Sequence, residues 1–252
     1  MVPELESVVK IARDAGQDIL GVSDEDVEQK EDGTPLTRAD MASHRRITEE
    51  LSNLSPHPIM SEEGHPGEFL DSPPEVYWLV DPLDGTKEFV KGNGEYTVNI
   101  ALIRNFRPVL GVIHPPELGW VCQAVEGKGA WWQEGNGEPE KITADRPEGS
   151  PMVAAVSRSH PSKKTEAFLA DNGIEKRLEL GSSLKFCAIA RGQADVYPRP
   201  NPTCLWDTGA GTIIAREAGC SVKDLSGSDL LHNPEIGIKH HGFVVRGPRM
   251  NG

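Results

Sequence analysis

The segment Trp78-Leu79-Val80-Asp81-Pro82-Leu83-Asp84-Gly85-Thr86-Lys87-Glu88-Phe89 delivers two carboxylates at the exit of an apolar stretch. Pro82 biases Asp81 toward an extended conformation, so a strand is expected to stop there. Gly85 permits a tight turn, and residues 86–89 can open a helix whose first N–H groups face an anion. Two aspartates at this spacing can bridge a hard cation, with the Leu83 carbonyl as a further oxygen ligand. Oxygen-rich sites of this kind suit Mg²⁺, which keeps water and substrate phosphate among its ligands. Taken alone, the segment also reads as an Asp-Gly turn with solvated side chains.

Further acids alter that balance. Glu62, in Ser61-Glu62-Glu63-Gly64, lies at the exit of another short apolar strand. Asp207, in Leu205-Trp206-Asp207-Thr208-Gly209-Ala210-Gly211, stands at the start of a helix, where an N-cap is the plain alternative. Asp40 falls in the first turn of a helix, a common place for an acid. Candidate anion-binding residues come later in the chain, in Ser157-Arg158-Ser159-His160, Gly181-Ser182-Ser183-Leu184-Lys185 and Tyr197-Pro198-Arg199. Each also has an ordinary loop or capping explanation. The adjacent pair His240-His241 offers a weak zinc alternative. Neighbouring residues cannot share a helical face, and the pair reads as solvated.

The elements that must position these residues follow from periodicity. Val8, Ile11, Ala12, Ala15 and Ile19 mark an amphipathic helix that starts near Pro3 and ends at Gly21. Residues 22–36 read as a loop or hairpin. A second helix starts at Thr37, carries Ala39, Ala42, Ile47, Leu51 and Leu54, and is stopped by Pro56 and Pro58. Strands are expected at residues 58–60, 77–80, 96–103, 109–113 and 120–125, with a turn-rich hairpin region at 127–137. A polar stretch at 141–149 reads as a seam, dividing the chain into an N-terminal part, 1–147, and a C-terminal part, 148–252. Beyond it, strands at 152–156, 194–197 and 242–246 alternate with helices at 161–172, 183–191 and 206–218, the last closed by Gly219. Mixed, segregated elements of this kind suggest layered sheets and helices.

Composition excludes several classes of partner. A formal net charge of −13 with scattered basic residues disfavours a nucleic-acid polymer. An anionic small substrate then requires local cations to offset the global field. No apolar run reaches the roughly 20 residues of a membrane span. The N-terminus lacks the basic and apolar regions of a signal peptide. Four scattered cysteines, Cys122, Cys187, Cys204 and Cys220, read as buried thiols in a reducing cytoplasm.

In their order, Thr37-Arg38-Ala39-Asp40, Ser61-Glu62-Glu63, Trp78 to Thr86 and Trp206 to Gly211 resemble the inositol-monophosphatase superfamily of Mg²⁺-dependent phosphatases. The resemblance spans nearly the whole chain and implies a layered α/β/α/β/α sandwich. It implies Glu62, Asp81, Asp84 and Asp207 as metal carboxylates, with the Leu83 carbonyl, around two or three Mg²⁺ ions. It also implies Thr86, paired with Asp40, as the group that orients and activates the attacking water. The segments around His160, Ser182, Lys185 and Arg199, with residues 95–102, look like the CysQ-type branch, the 3′(2′),5′-bisphosphate nucleotidases. That branch removes the 3′-phosphate of adenosine 3′,5′-bisphosphate, a by-product of sulfate activation, leaving AMP and phosphate. By position, Gly85, Thr86, His160, Ser182, Lys185 and Arg199 would contact the substrate, and Lys185 and Arg199 would supply the required cations. Gly209 stands where that branch often has Ala, and Lys30 matches a family position near the metals. An inositol-1-phosphate or fructose-1,6-bisphosphate phosphatase shares the same metal chemistry and remains the alternative. A non-catalytic phosphonucleotide-binding protein is the alternative of a different class.

Overall fold

The computed structural model describes residues 3–22, 27–29, 35–159 and 162–250. Six helices are described: α1 (Leu5–Leu20), α2 (Arg38–Leu54), α3 (Thr86–Val90), α4 (Lys163–Asp171), α5 (Leu184–Ala190) and α6 (Gly209–Glu217). The strands of the first half are β1 (Val27–Gln29), β2 (Pro35–Thr37), β3 (Ile59–Ser61), β4 (Val76–Asp84), β5 (Thr97–Arg104), β6 (Arg107–His114), β7 (Trp120–Val125), β8 (Gly129–Glu134) and β9 (Glu140–Ile142). Those of the second half are β10 (Val153–Ser157), β11 (Lys176–Leu180), β12 (Val196–Arg199), β13 (Thr203–Cys204), β14 (Ser221–Asp224), β15 (Lys239–His240) and β16 (Phe243–Arg246).

Strands β3 to β9 form a seven-stranded sheet in chain order, antiparallel except for the parallel β3–β4 pair. A five-stranded sheet has the order β11-β10-β12-β16-β14. Two short antiparallel pairs, β1–β2 and β13–β15, complete the strands.

Alternation along each strand sets the layers. Trp78 and Val80 of β4, with Val98, Ile100 and Leu102 of β5, pack under α1 and α2. Tyr77 and Leu79, with Ala101 and Ile103, face the other way, onto a core that includes Phe186 of α5 and Ile213 and Ile214 of α6. That core continues to Ala155, Tyr197, Phe243 and Val245 of the five-stranded sheet. Beyond the sheet, Leu169 of α4 packs on Ala154, Val156, Val196 and Val244. The layers are thus α/β/α/β/α, as expected. Close packing in the middle layer depends on Gly211, because a Cβ there would stand 2.3 Å from Phe186 atoms.

Several local expectations give way. β4 does not stop at Asp81 but runs through Pro82 to Asp84. Its register with β5 breaks between Asp81 and Asp84, so Pro82 falls where no ladder bond is required of it. Helix α6 starts at Gly209, three residues later than the sequence suggests, with Thr208 in the N-cap position. β11 and β14 were not expected; apolar alternation in β11 is confined to Leu178 and Leu180, and β14 carries a single apolar residue, Val222. No described helix is long and apolar enough to cross a membrane.

Candidate active site

The chemistry gathers where β3 and β4 end together. These strands run parallel with Ser61 opposite Val80, and the Glu62 N–H donates to the Val80 carbonyl at 3.1 Å. That bond sets Glu62 beside Asp81. Asp81 is 1% exposed, and one of its oxygens accepts from the Leu83 N–H at 3.1 Å. From the other half of the chain comes Asp207, whose carboxylate accepts from the Thr203 hydroxyl and, at 2.9 Å, from the Cys204 N–H. Carboxylate oxygens of Glu62, Asp81 and Asp207 all lie within 4.8 Å of one another.

Burial raises the proton affinity of Asp81, Asp84 and Asp207, and repulsion from neighbouring acids adds to it at Asp81 and Asp84. Asp81 is pushed well above the usual carboxylate range by burial first, then by Glu62, Asp84, Asp207 and Asp40. Asp84 rises to about 7 through burial and Asp207, while Lys185 opposes the shift. Asp207 is raised by burial against its two hydrogen bonds. A buried, all-oxygen cluster of this kind needs a cation to stay ionised, and the donor set fits a hard divalent metal.

Helix α2 braces both acidic turns. Ser43 donates to the Pro82 carbonyl at 2.7 Å, between the two aspartates, and His44 Nδ1 meets the Ser61 hydroxyl at 2.9 Å, next to Glu62. Asp40, in the first turn of the same helix, is 2% exposed. A second brace reaches Asp84. Ser183 donates to Asn99 Oδ1 at 2.7 Å, so it accepts from Thr97, whose hydroxyl is 2.8 Å away. The Asn99 amide in turn points at Asp84 Oδ2 at 3.5 Å. Thr97, Asn99 and Ser183 are all buried, and nothing in their residue types announced the role.

The carboxylates line a cavity of about 250 Å³ together with Leu83, Gly85, Thr86, Glu88, Lys185 and Arg199. Gly85 has φ 91°, and a Cβ there would meet the Ser182 hydroxyl at 2.1 Å. Ser182, itself at φ 43°, shares its hydroxyl proton between the carbonyls of Asp84 (2.8 Å) and Glu95 (2.7 Å). The Ser182 side chain therefore ties the α5 approach to the acidic turn. Lys185 is buried, with Nζ donating to the carbonyls of Ser182 (2.5 Å) and Leu180 (3.2 Å). Burial lowers its pKa to about 8, against the attraction of Asp84.

Arg199 lines both this cavity and an adjoining one of about 120 Å³, and its Nε is buried without a hydrogen-bond partner. Asp40 is not on the cavity wall, although it is close enough to bear on Asp81. His160 and Lys30 lie outside the described residues. Of the histidine pair, His241 is exposed, whereas His240 is buried at 8% exposure, contrary to the expectation of a solvated pair. Its Nε2 contacts the Thr208 hydroxyl. Glu88, one turn after Gly85, lines the cavity at 4% exposure and was missed.

The profile of the inositol monophosphatase family matches residues 3–248. The chain belongs to this family. It is 43% identical over 246 residues to the 3′(2′),5′-bisphosphate nucleotidase CysQ of Escherichia coli (strain K12), covering 96% of this chain and 98% of that protein. The CysQ of Buchnera aphidicola is 41% identical over 248 residues, with 96% and 92% covered. Among solved structures, CysQ from Bacteroides thetaiotaomicron superposes with a TM-score of 0.84 at 37% identity, over 96% of each chain. An inositol monophosphatase from Thermotoga maritima follows at TM-score 0.77 and 27% identity, over 96% and 91%. The expected family and layered fold both hold.

Proposed function

We propose that this chain is a Mg²⁺-dependent 3′(2′),5′-bisphosphate nucleotidase that hydrolyses the 3′-phosphate of adenosine 3′,5′-bisphosphate, giving AMP and phosphate. The observation that carries the substrate choice is charge of both signs in one cavity, where the Glu62–Asp81–Asp84–Asp207 cluster shares walls with Lys185 and Arg199. A substrate with a single phosphate has no need of a buried lysine and a partner-free guanidinium N–H beyond the metal site. The identity to CysQ proteins over nearly the full length supports the same choice.

In this reading Glu62, Asp81, Asp84, Asp207 and the Leu83 carbonyl hold two or three cations. Bound there, Mg²⁺ supplies positive charge to the phosphoryl oxygens and acidifies water. Thr86 with Asp40 orients the attacking water and takes its proton. Gly85 and Thr86 approach the scissile phosphate with backbone, and Ser182 keeps their turn in place. Lys185, as a point charge, and Arg199, as a planar fork, hold the second phosphate, with His160 as a further nucleotide contact. Removal of a by-product of sulfate activation would make this a cytoplasmic enzyme of sulfur assimilation.

Phosphate release from adenosine 3′,5′-bisphosphate, inositol 1-phosphate and fructose 1,6-bisphosphate, assayed side by side with Mg²⁺, tests the proposal. The bisphosphonucleotide is expected to give the highest kcat/KM. A preference for either sugar phosphate by orders of magnitude would sink it.

A further inference from the structure

Thr208 follows Asp207 directly, and its hydroxyl meets three partners: the Leu205 carbonyl at 3.0 Å, His232 Nε2 at 3.0 Å and His240 Nε2 at 3.1 Å. A hydroxyl has one proton and two lone pairs. The carbonyl can only accept, so the Thr208 proton goes to Leu205 and both imidazoles must donate their Nε2–H to the Thr208 oxygen. Thr208 is then saturated. It lines the cavity but has no hydrogen bond left for a substrate.

The same count assigns the protonation of the rings. His232 Nδ1 is buried with no partner, which suits a bare lone pair on a neutral Nε2–H ring. An Nδ1–H there would be a buried donor with nothing to accept it. Burial depresses the pKa of both histidines, His240 to about 4, in keeping with neutral rings. The rings stand edge to face with centroids 5.0 Å apart. The His232 backbone is fixed in turn by its N–H, which donates to the Phe106 carbonyl at 2.8 Å, and by the Tyr77 hydroxyl, which donates to its carbonyl.

The consequence reaches Asp207 from two sides. The Leu205–Thr208 turn carries Asp207 itself. His240 belongs to β15, which pairs with β13 so that His240 lies opposite Thr203, and Thr203 and Cys204 are the donors to the Asp207 carboxylate. One buried hub thus holds both the backbone of the carboxylate and the strand that orients it. We infer that Thr208, His232 and His240 form a positioning unit that sets where the Asp207 carboxylate stands in the cation site. The inference rests on the metal reading above, and none of the three residues acts on the substrate.

The test uses the full chain and Mn²⁺ as the probe ion. Binding followed by electron paramagnetic resonance is expected to weaken about 10-fold in Thr208→Val and to recover in Thr208→Ser, the range usual for groups that orient a metal ligand. The Mg²⁺ concentration for half-maximal activity should move by a similar factor. His240→Phe, which leaves the hydroxyl in place, should shift affinity the same way by less, and it serves if Thr208→Val does not fold. Imidazole ¹⁵N spectra of the unaltered protein at neutral pH should show both rings as Nε2–H tautomers. Unchanged Mn²⁺ affinity in a folded Thr208→Val, or an Nδ1–H tautomer at either ring, would overturn the inference. If Asp207→Asn binds Mn²⁺ as tightly as the unaltered protein, the metal reading itself falls and takes the inference with it.

Discussion

The two kinds of charge in the cleft are built in opposite ways. The acids sit on strand ends of the large sheet and on one turn, held by backbone and short polar side chains: Glu62 through Val80, Asp81 through Leu83, Asp207 through Cys204. They are crowded, and their repulsion is relieved only by protons or a cation. The bases are sparse. Lys185 spends two of its three N–H donors on carbonyls, while Arg199 keeps a buried Nε–H without an acceptor. The first arrangement is suited to a reaction, the second to a choice among substrates.

Removing one acid should break the comparison most severely. Asp81→Asn is expected to lower kcat/KM by roughly 10³-fold or more, since a cation contributes several kcal/mol to the transition state. The same variant should melt higher than the unaltered protein in chelator at pH 8, because folding no longer has to protonate a carboxylate or bury its charge. Equal activity in a folded Asp81→Asn would remove it from the metal site. On the basic side, Lys185→Met or Arg199→Met should raise KM for adenosine 3′,5′-bisphosphate by about 10- to 100-fold, as expected for a hydrogen bond to a charged group. Hydrolysis of 3′-AMP, which lacks the second phosphate, should change far less. Equal losses on both substrates would argue against a role in choosing between them.

Smaller effects refine the contrast. Asn99→Ala withdraws the amide facing Asp84 and should weaken Mg²⁺ binding about 10-fold by calorimetry. The pH dependence of stability should change sign with metal. Without metal, the raised pKa of Asp81, Asp84 and Asp207 means the native state holds protons that the unfolded chain has lost. Melting temperature should therefore fall as pH rises from 6.5 to 8, above the range in which the buried histidines take up protons on unfolding. With Mg²⁺ bound, the buried histidines dominate. His114 and His240 are depressed to about 4, so the unfolded chain binds more protons below its ordinary histidine pKa. Stability should then drop on acidification from pH 6.5 toward 4, by up to roughly 1.4 kcal/mol per pH unit for each histidine. A melting temperature that rises between pH 6.5 and 8 in chelator would contradict the metal-free half. Gly211→Ala should cost about 1–3 kcal/mol by overpacking against Phe186, read by chemical denaturation.

Legibility differed in the same way. Asp81, Leu83, Asp84 and Gly85 are contiguous, so a local pattern exposes them, and the order of Asp40, Glu62 and Asp207 around them pointed to the family. Thr97, Asn99 and Ser183 lie in segments that resemble the family, but their bracing of Asp84, like the role of Thr203, carries no such signal. Serine, threonine and asparagine are ordinary in strands and caps, and only their partners across the fold reveal what they do. Pro82 misled because its effect on Asp81 is local, while the break in the β4–β5 register is a property of the paired strands. His240 misled for a similar reason. Beside exposed His241 it reads as solvated, yet β15 buries it against Thr208.

What the residues determined by themselves was the alternation that sorts β4 and β5 into two cores, the turn at Gly85, and a set of acids whose chemistry suits a hard cation. These depend on neighbours within a few positions, where steric and periodic rules act directly. Tertiary structure alone decided that Asp207 stands within 4.8 Å of Glu62 and Asp81, that Arg199 opens onto two cavities, and that a threonine hydroxyl is saturated by two histidines. Such contacts join residues more than a hundred positions apart or depend on which side chain is buried, and burial is settled only when the layers close.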